Sequence, residues 1–157
     1  MSLELVRVDC RLVHGQVVET WLPHIGANCL VVANDELAAN PFLRSVMELA
    51  IPSSVKSVFC AVGDVAKSIA EINRDGKKAI LLCSSFADAL RIHQAGVRFS
   101  SLNIGNLHYS SGKVEISPSV FFSKEDFEAV HCFCHEGIAV VVRATPFEAG
   151  TSYEPER

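Results

Sequence analysis

A chain of 157 residues, 49% of them hydrophobic, is long and apolar enough to bury one substantial core, and residues 1–157 read as a single domain. The net charge of -4, with no basic stretch carrying interleaved aromatics, argues against nucleic acid as a partner. No apolar run approaches the roughly 18 residues that span a bilayer, and Glu4 and Arg7 interrupt the N-terminus before a signal segment forms, so a cytoplasmic location is expected.

Leu3 to Val8 reads as the first strand, and Gln16 to His24 as the first helix, stopped by Pro23 and Gly26. Cys29 to Ala33 is a short continuous apolar run, the mark of a strand covered on both faces and hence of a parallel sheet. Asn34-Asp35-Glu36 is the following strand-end loop. A helix is predicted over Pro41 to Ala50, with Asn40 as cap, Pro41 in its first turn, and Phe42, Val46 and Leu49 as its apolar stripe. Val55 to Val62 is the third strand, and Asp64 is placed to cap a helix from Val65 to Arg74 that presents Val65, Ile69 and Ile72. Asp75-Gly76 turns the chain into a fourth strand, Lys78 to Cys83. Ser84 or Ser85 caps a helix from Phe86 to Ala95, ended by Gly96. Val97 to Ile104 contains the fifth strand, interrupted by Ser100, Ser101 and Asn103.

The last third changes rhythm. Gly105 to His108 is a glycine and amide loop, Ser110 to Lys113 a turn, and Val114 to Val120 a short edge segment holding Pro118. Ser123, with Asp126 three residues on, starts a helix running to about His135 and ended by Gly137. Phe121, Phe122 and Phe127 are expected to pack under that helix, Ile138 to Val142 to form the last strand, and residues 150–157 to form a flexible polar tail. Strands and helices alternating over such short connections make an α/β fold: three layers, a largely parallel central sheet, and helices on both faces.

The six cysteines fit reduced thiols, because Cys29, Cys60 and Cys83 fall in or beside apolar strands where free cysteine is a common core residue. His131-Cys132-Phe133-Cys134-His135 does not make a zinc site. On a helix the two histidines share a face while the cysteines point elsewhere, and no second ligand pair accompanies them. Neither GxGxxG nor GxxxxGK[ST] is present, which argues against ATP or NAD as a dedicated cofactor.

The chemistry concentrates in VDCRLVHGQV, residues 8–17. Arg11 and His14 fall between the end of a strand and the start of a helix, the edge where open α/β sheets bind ligands. A helix start with Gly15 and Gln16 offers backbone N–H groups to an anion, and Arg11 adds a planar charged fork suited to phosphate. His14 titrates near neutrality and is a candidate phosphoryl acceptor. Asp9 or Asp35, both at strand ends, is placed to orient it by accepting a hydrogen bond from its other ring nitrogen. Asn103, Asn106 and His108 follow the fifth strand and complete the site if the sheet order sets that strand beside the first. Ser84, at another strand end, is a further candidate for the anion.

VDCRLVHGQVVETW resembles the start of the IIB component of the mannose/fructose/sorbose class of the bacterial sugar phosphotransferase system. The likeness continues through VVANDELAANPF and SLNIGNLHYSSGK and covers about residues 3 to 145. It implies a cytoplasmic phosphocarrier, associated with the inner face of the membrane through its permease. By motif position, His14 would accept a phosphoryl group on Nδ1 from a phosphohistidine of the IIA component. It would then pass the group to a sugar bound by the IIC/IID permease complex, with Arg11 supporting the phosphoryl group. That scheme requires neither a metal nor a cofactor, and it implies a rather flat, exposed site that meets two partners in turn. The family usually carries two acids before the arginine, whereas this chain has Asp9-Cys10, so the role of the second acid is in doubt. Two other readings stay open at this point: a regulatory module that binds a phosphorylated partner without sugar transfer, and a flavodoxin-like domain with a small-molecule pocket. Packing of the first helix or of Phe121-Phe122 between copies would make a homodimer.

Overall fold

The computed structural model describes residues 2–73 and 76–155. Their central sheet has seven strands in the order β3-β2-β4-β1-β5-β8-β9. These are β1 (Ser2–Asp9), β2 (Cys29–Ala33), β3 (Lys56–Cys60), β4 (Lys78–Cys83), β5 (Ser101–Asn106), β8 (Ala139–Val142) and β9 (Thr151–Tyr153). Every neighbouring pair is parallel except β8 with β9. β6 (Val114–Ser117) and β7 (Val120–Phe122) form a separate antiparallel hairpin.

Alternation along the strands feeds two cores, as a sheet covered on both faces requires. Val6 and Val8 of β1, Val31 of β2 and Leu81 of β4 face the layer made by α4 (Val65–Ile72), α5 (Phe86–Gln94), α6 (Lys124–His135) and the hairpin. Leu30, Val32, Ile80 and Leu82 face the opposite layer. That layer holds a helical segment from Gln16 to Ile25, then α2 (Asp35–Ala39) and α3 (Pro41–Glu48). The α/β architecture expected from the sequence is therefore observed.

Local differences have physical causes. Residues Gln16–Trp21 wind as a π-helix and only Leu22–Ile25, α1, as an α-helix. Pro23 does not end the helix. It sits in the first turn of α1, where its missing N–H is harmless, and the wider π turn before it relieves its clash with the preceding carbonyl. Gly26, at φ +69°, makes the actual stop. Asn34 caps α2, a short helix where a loop was expected. Asp64 makes no side-chain cap; a 3₁₀ turn over Val62–Asp64 leads into α4 instead. The predicted α4 terminus Arg74, the turn residue Asp75 and the tail residues Glu156 and Arg157 lie outside the described residues.

Asn40 does cap α3, but the expected stripe points outward: Phe42, Val46 and Leu49 are exposed, while Leu43 and Met47 pack inward. The segment Val114 to Val120 is not a single edge strand, since Pro118 and Ser119 turn it into the hairpin. Ile138 to Val142 is not the last strand either. Residues 151–153 pair with β8, and Tyr153 stacks edge-on to Phe122, which ties down a segment expected to be a loose tail. Ser123 and Asp126 form a full capping box at α6.

Candidate functional site

Strand alternation puts Leu5, Arg7 and Asp9 on the face of β1 opposite to Val6 and Val8. Arg7 pairs with Asn103 across β5, and Val8 with Ile104, but Asp9 pairs with Asn106 because the register shifts at Gly105. The bulge therefore turns both asparagines toward the arginine and the aspartate. A polar seam lies under the π-helix, where the rest of that face is apolar.

The seam is closed and fully connected. Arg7 and Asp9 are both completely buried. Arg7 Nε and Nη2 donate to Asp9 Oδ2 at 3.1 and 2.9 Å. Arg7 Nη1 donates to Asn103 Oδ1 at 2.7 Å and to the Arg143 carbonyl at 3.1 Å, and Nη2 also donates to Gln16 Oε1 at 3.1 Å. All five N–H groups of the guanidinium are thus placed. A Cβ at residue 105 would fall inside that guanidinium, so the position demands glycine for close approach. Trp21 covers the seam from the π-helix, its ring 5.7 Å from Arg7 Cζ and 5.5 Å from Arg143 Cζ. Its Nε1 donates to the Ala144 carbonyl.

Asp9 joins this seam to the loop above it. Its Oδ1 accepts the Arg11 backbone N–H at 3.0 Å, and its carbonyl accepts that of Leu12 at 3.0 Å. Leu12 takes φ +56° with its side chain buried, which reverses the chain and brings His14 back over the strand. His14 Nε2 then lies 2.7 Å from Asp9 Oδ2. Burial pushes the Asp9 carboxyl up. The hydrogen bond from His14, the charge of Arg7, and the bonds from Asn106 and the Arg11 N–H outweigh it, and Asp9 ends below its ordinary value. An ionised carboxylate only accepts, so Nε2 carries the ring proton. In the neutral ring Nδ1 is then the lone-pair nitrogen. It is the one buried side-chain nitrogen or oxygen without a partner among the described residues.

The other residues singled out in the sequence divide into two groups. Asn106 donates to Asp9 Oδ2 at 2.9 Å and to Gln16 Oε1 at 3.1 Å, so the sheet order does bring the fifth strand end to the first. Gly15 and Arg11 are exposed on the loop that carries His14, and His108 is exposed after β5. Asp35 does not reach the histidine. Its carboxylate accepts the Val62 N–H and pairs with Arg91, bracing the β2 end against the β3 loop and α5. Ser84 hydrogen-bonds Asn34 and Asp88, and Ser85 is the cap of α5. Cys10 is half-buried, and burial pushes its thiol up. The expectation of an exposed ring is corrected: the His14 side chain is 8% exposed, held down by Asp9. A depression of about 540 Å³ lies instead at the β3 edge, lined by Asp35, Phe59, Cys60, Lys67 and others.

Sequence reasoning missed Arg7, Gly105 and Trp21; Asn103 was singled out, but its bond to Arg7 was not foreseen. One signal was there: opposite charges two residues apart in an otherwise apolar strand share a face, and a covered sheet forces them to pair.

Comparison with known proteins identifies the family. Residues 3–155 match the family model described as PTS system sorbose subfamily IIB component. The N-acetylgalactosamine-specific phosphotransferase enzyme IIB component 2 of Escherichia coli (strain K12) is 33% identical over 147 residues, covering 94% of this chain and 93% of that one. The mannose-specific EIIAB component of the same strain is 31% identical over 146 residues, covering 91% of this chain and 44% of the longer protein. The crystal structure of the N-acetylgalactosamine-specific IIB component 1 from Escherichia coli superposes with a TM-score of 0.87 at 28% identity, over 98% of this chain and 100% of that one. The chain belongs to the sorbose-subfamily IIB components of the sugar phosphotransferase system, a family of phosphotransferase domains.

Proposed function

We propose that this chain is a phosphocarrier that accepts a phosphoryl group on His14 Nδ1 from a IIA phosphohistidine and delivers it to a sugar held by a IIC/IID permease. The observation that carries this reading is the division of labour on one ring. Nε2 is fixed by an ionised aspartate, and Nδ1 is an unpaired lone pair in a site otherwise free of unsatisfied groups.

In the transfer, the Nδ1 lone pair forms the new P–N bond as the donor's P–N bond breaks. The donor imidazole leaves with that electron pair. The His14 ring becomes formally cationic, balanced by the phosphoryl oxygens it now carries, while Asp9 keeps the Nε2–H and the ring in place. The exposed Arg11 fork, which makes no hydrogen bond or ion pair among the described residues, then holds the phosphoryl oxygens. In onward transfer the sugar hydroxyl oxygen forms a P–O bond as the P–N bond to His14 breaks, the electron pair of that bond returns to Nδ1, and the hydroxyl proton leaves to a base on the permease side or to solvent. Since Nδ1 is covered in this structure, docking of the donor has to open that side of the ring while Nε2 stays on Asp9. The match to part of an EIIAB protein supports a IIA partner, because that relative's name joins a IIA to a IIB component in one chain. No helix among the described residues is long and apolar enough to cross a membrane; delivery to a permease-held sugar would bring the chain to the inner membrane face.

The test is intact-mass analysis after incubation with phosphorylated IIA proteins. The wild type should gain one acid-labile phosphoryl group, His14→Ala none, and Arg11→Ala should gain it more slowly. Normal labelling of His14→Ala would remove the assignment.

A further inference from the structure

Arg7 lies outside any role that a phosphoryl group would give it. It is fully buried beneath the site, and its contacts run to Asp9, Asn103, Gln16 and a backbone carbonyl. Burying such a charge is costly, and an ion pair of this kind is seldom retained for stability alone.

The geometry suggests what it does. One oxygen, Asp9 Oδ2, receives Arg7 Nε, Arg7 Nη2, Asn106 Nδ2 and His14 Nε2. The carboxylate's single negative charge is already matched by the guanidinium, which stays ionised at any working pH. A second proton on His14 would set a second cation on the same oxygen. We propose that Arg7 is a positioning residue for phosphoryl acceptance. By neutralising Asp9 it keeps the paired His14 imidazole uncharged, with its one proton on Nε2 and Nδ1 free to attack. The proposal rests on His14 being the acceptor.

Other charges near the ring do not replace this effect. Arg11 extends into solvent, the exposed His108 meets Cys10 through its backbone, and Lys113 donates to the His108 carbonyl. Glu19 approaches Gly15, and Glu148 acts on Arg7; both are carboxylates that would favour a charged ring rather than a neutral one. The buried cation that opposes protonation is Arg7. Its fixed seat between Gly105 and Trp21 keeps it on Asp9.

The experiment follows the ring nitrogens of His14 by NMR on ¹⁵N-labelled protein across pH, alongside the rate of phosphoryl acceptance from a phosphorylated IIA donor. In wild type the ring should be the Nε2–H tautomer at neutral pH. In Arg7→Met the doubly protonated ring should persist to higher pH by roughly one unit, the scale of one close charge, and the acid limb of the acceptance rate should move with it. Arg7→Lys should restore the wild-type titration while accepting phosphate more slowly. If Arg7→Met does not fold, Arg7→Gln is read in its place. A purely structural Arg7 would lower rates without moving the titration, and that result overturns the proposal. An Nδ1–H tautomer in the wild type also overturns it, with no variant needed. A moved titration with unchanged labelling of His14→Ala would instead remove the acceptor assignment on which the proposal rests.

Discussion

Asp9 Oδ2 and His14 Nε2 face each other at 2.7 Å across the turn that leaves β1. This contact fixes which ring nitrogen carries the proton. It also holds the histidine against the sheet, which is why the ring is covered while Arg11 stands exposed.

Asp9→Asn breaks that arrangement without changing shape. The amide can offer N–H as readily as oxygen, so the ring loses its fixed tautomer. The bond that aims Nδ1 at the donor is lost with it. Phosphoryl acceptance should fall by about 10²- to 10⁴-fold, the range spanned by general acid–base and tautomer-orienting groups. Stopped-flow transfer from a phosphorylated IIA donor measures it.

The same carboxylate links stability to pH. The ordinary aspartate value is 3.8, and Asp9 lies below it in the folded chain. A depressed value means that the unfolded chain binds the proton first. The stabilisation is then fully present above pH 3.8 and is lost as pH falls through the lower folded value. Urea midpoints taken across that window should drop in the wild type. In Asp9→Asn, which has no proton to bind, the drop should be smaller.

Gly105→Ala tests the seam from the other side. The new methyl would occupy the place of the Arg7 guanidinium, whose five N–H groups leave it nowhere to go. Overpacking of this kind costs about 1–3 kcal/mol. Displacing Arg7 from Asp9 should add to it, because a buried charge loses its partner. Denaturant unfolding should show at least that loss, and an unchanged midpoint would mean that the seam is looser than it stands here.

The parallel strands were legible because short apolar runs between turn residues have few other uses. Lys78–Cys83 and Cys29–Ala33 match the expected runs to the residue. His14, Asp9 and Asn106 were legible as strand-end polar residues. Their joining was not, since it depends on β5 lying beside β1, a choice made by tertiary packing. Arg7 was read only as a charge interrupting an apolar segment. β9 was invisible for a different reason: Thr151–Tyr153 has no apolar run of its own and takes its conformation from the edge of β8. The π turn at Gln16–Trp21 has no local signature beyond Pro23.

Leu12 gives a test of backbone strain. Its φ of +56° is a region that β-carbons resist, yet its side chain is buried in the core beside Val13 and Trp21. Leu12→Ala loses the packing and keeps the strain, at a cost of about 2–5 kcal/mol. Leu12→Gly loses the same packing but relieves the strain. The glycine variant should therefore be more stable than the alanine variant by roughly 1 kcal/mol, the reverse of the usual order. Paired chemical denaturation curves decide it. If alanine is the more stable, the turn that presents His14 is not strained.

α3 separates apolar periodicity from burial. Phe42, Val46 and Leu49 have helical spacing but exposures of 74, 50 and 88%. Leu43 and Met47, one position further round, touch the core. Sequence periodicity alone cannot choose between these faces, because both carry apolar residues at intervals of three or four. Burial can, and it ranks the mutants. Phe42→Ser and Leu49→Ser should each change stability by no more than about 0.5 kcal/mol, the usual surface range. Leu43→Ala should cost on the order of 1–2 kcal/mol, below the figure for a fully buried leucine because its site is only partly enclosed. Thermal denaturation of the single mutants measures both. A large loss from Phe42→Ser with none from Leu43→Ala would mean that the helix sits rotated, with its exposed stripe turned to the sheet.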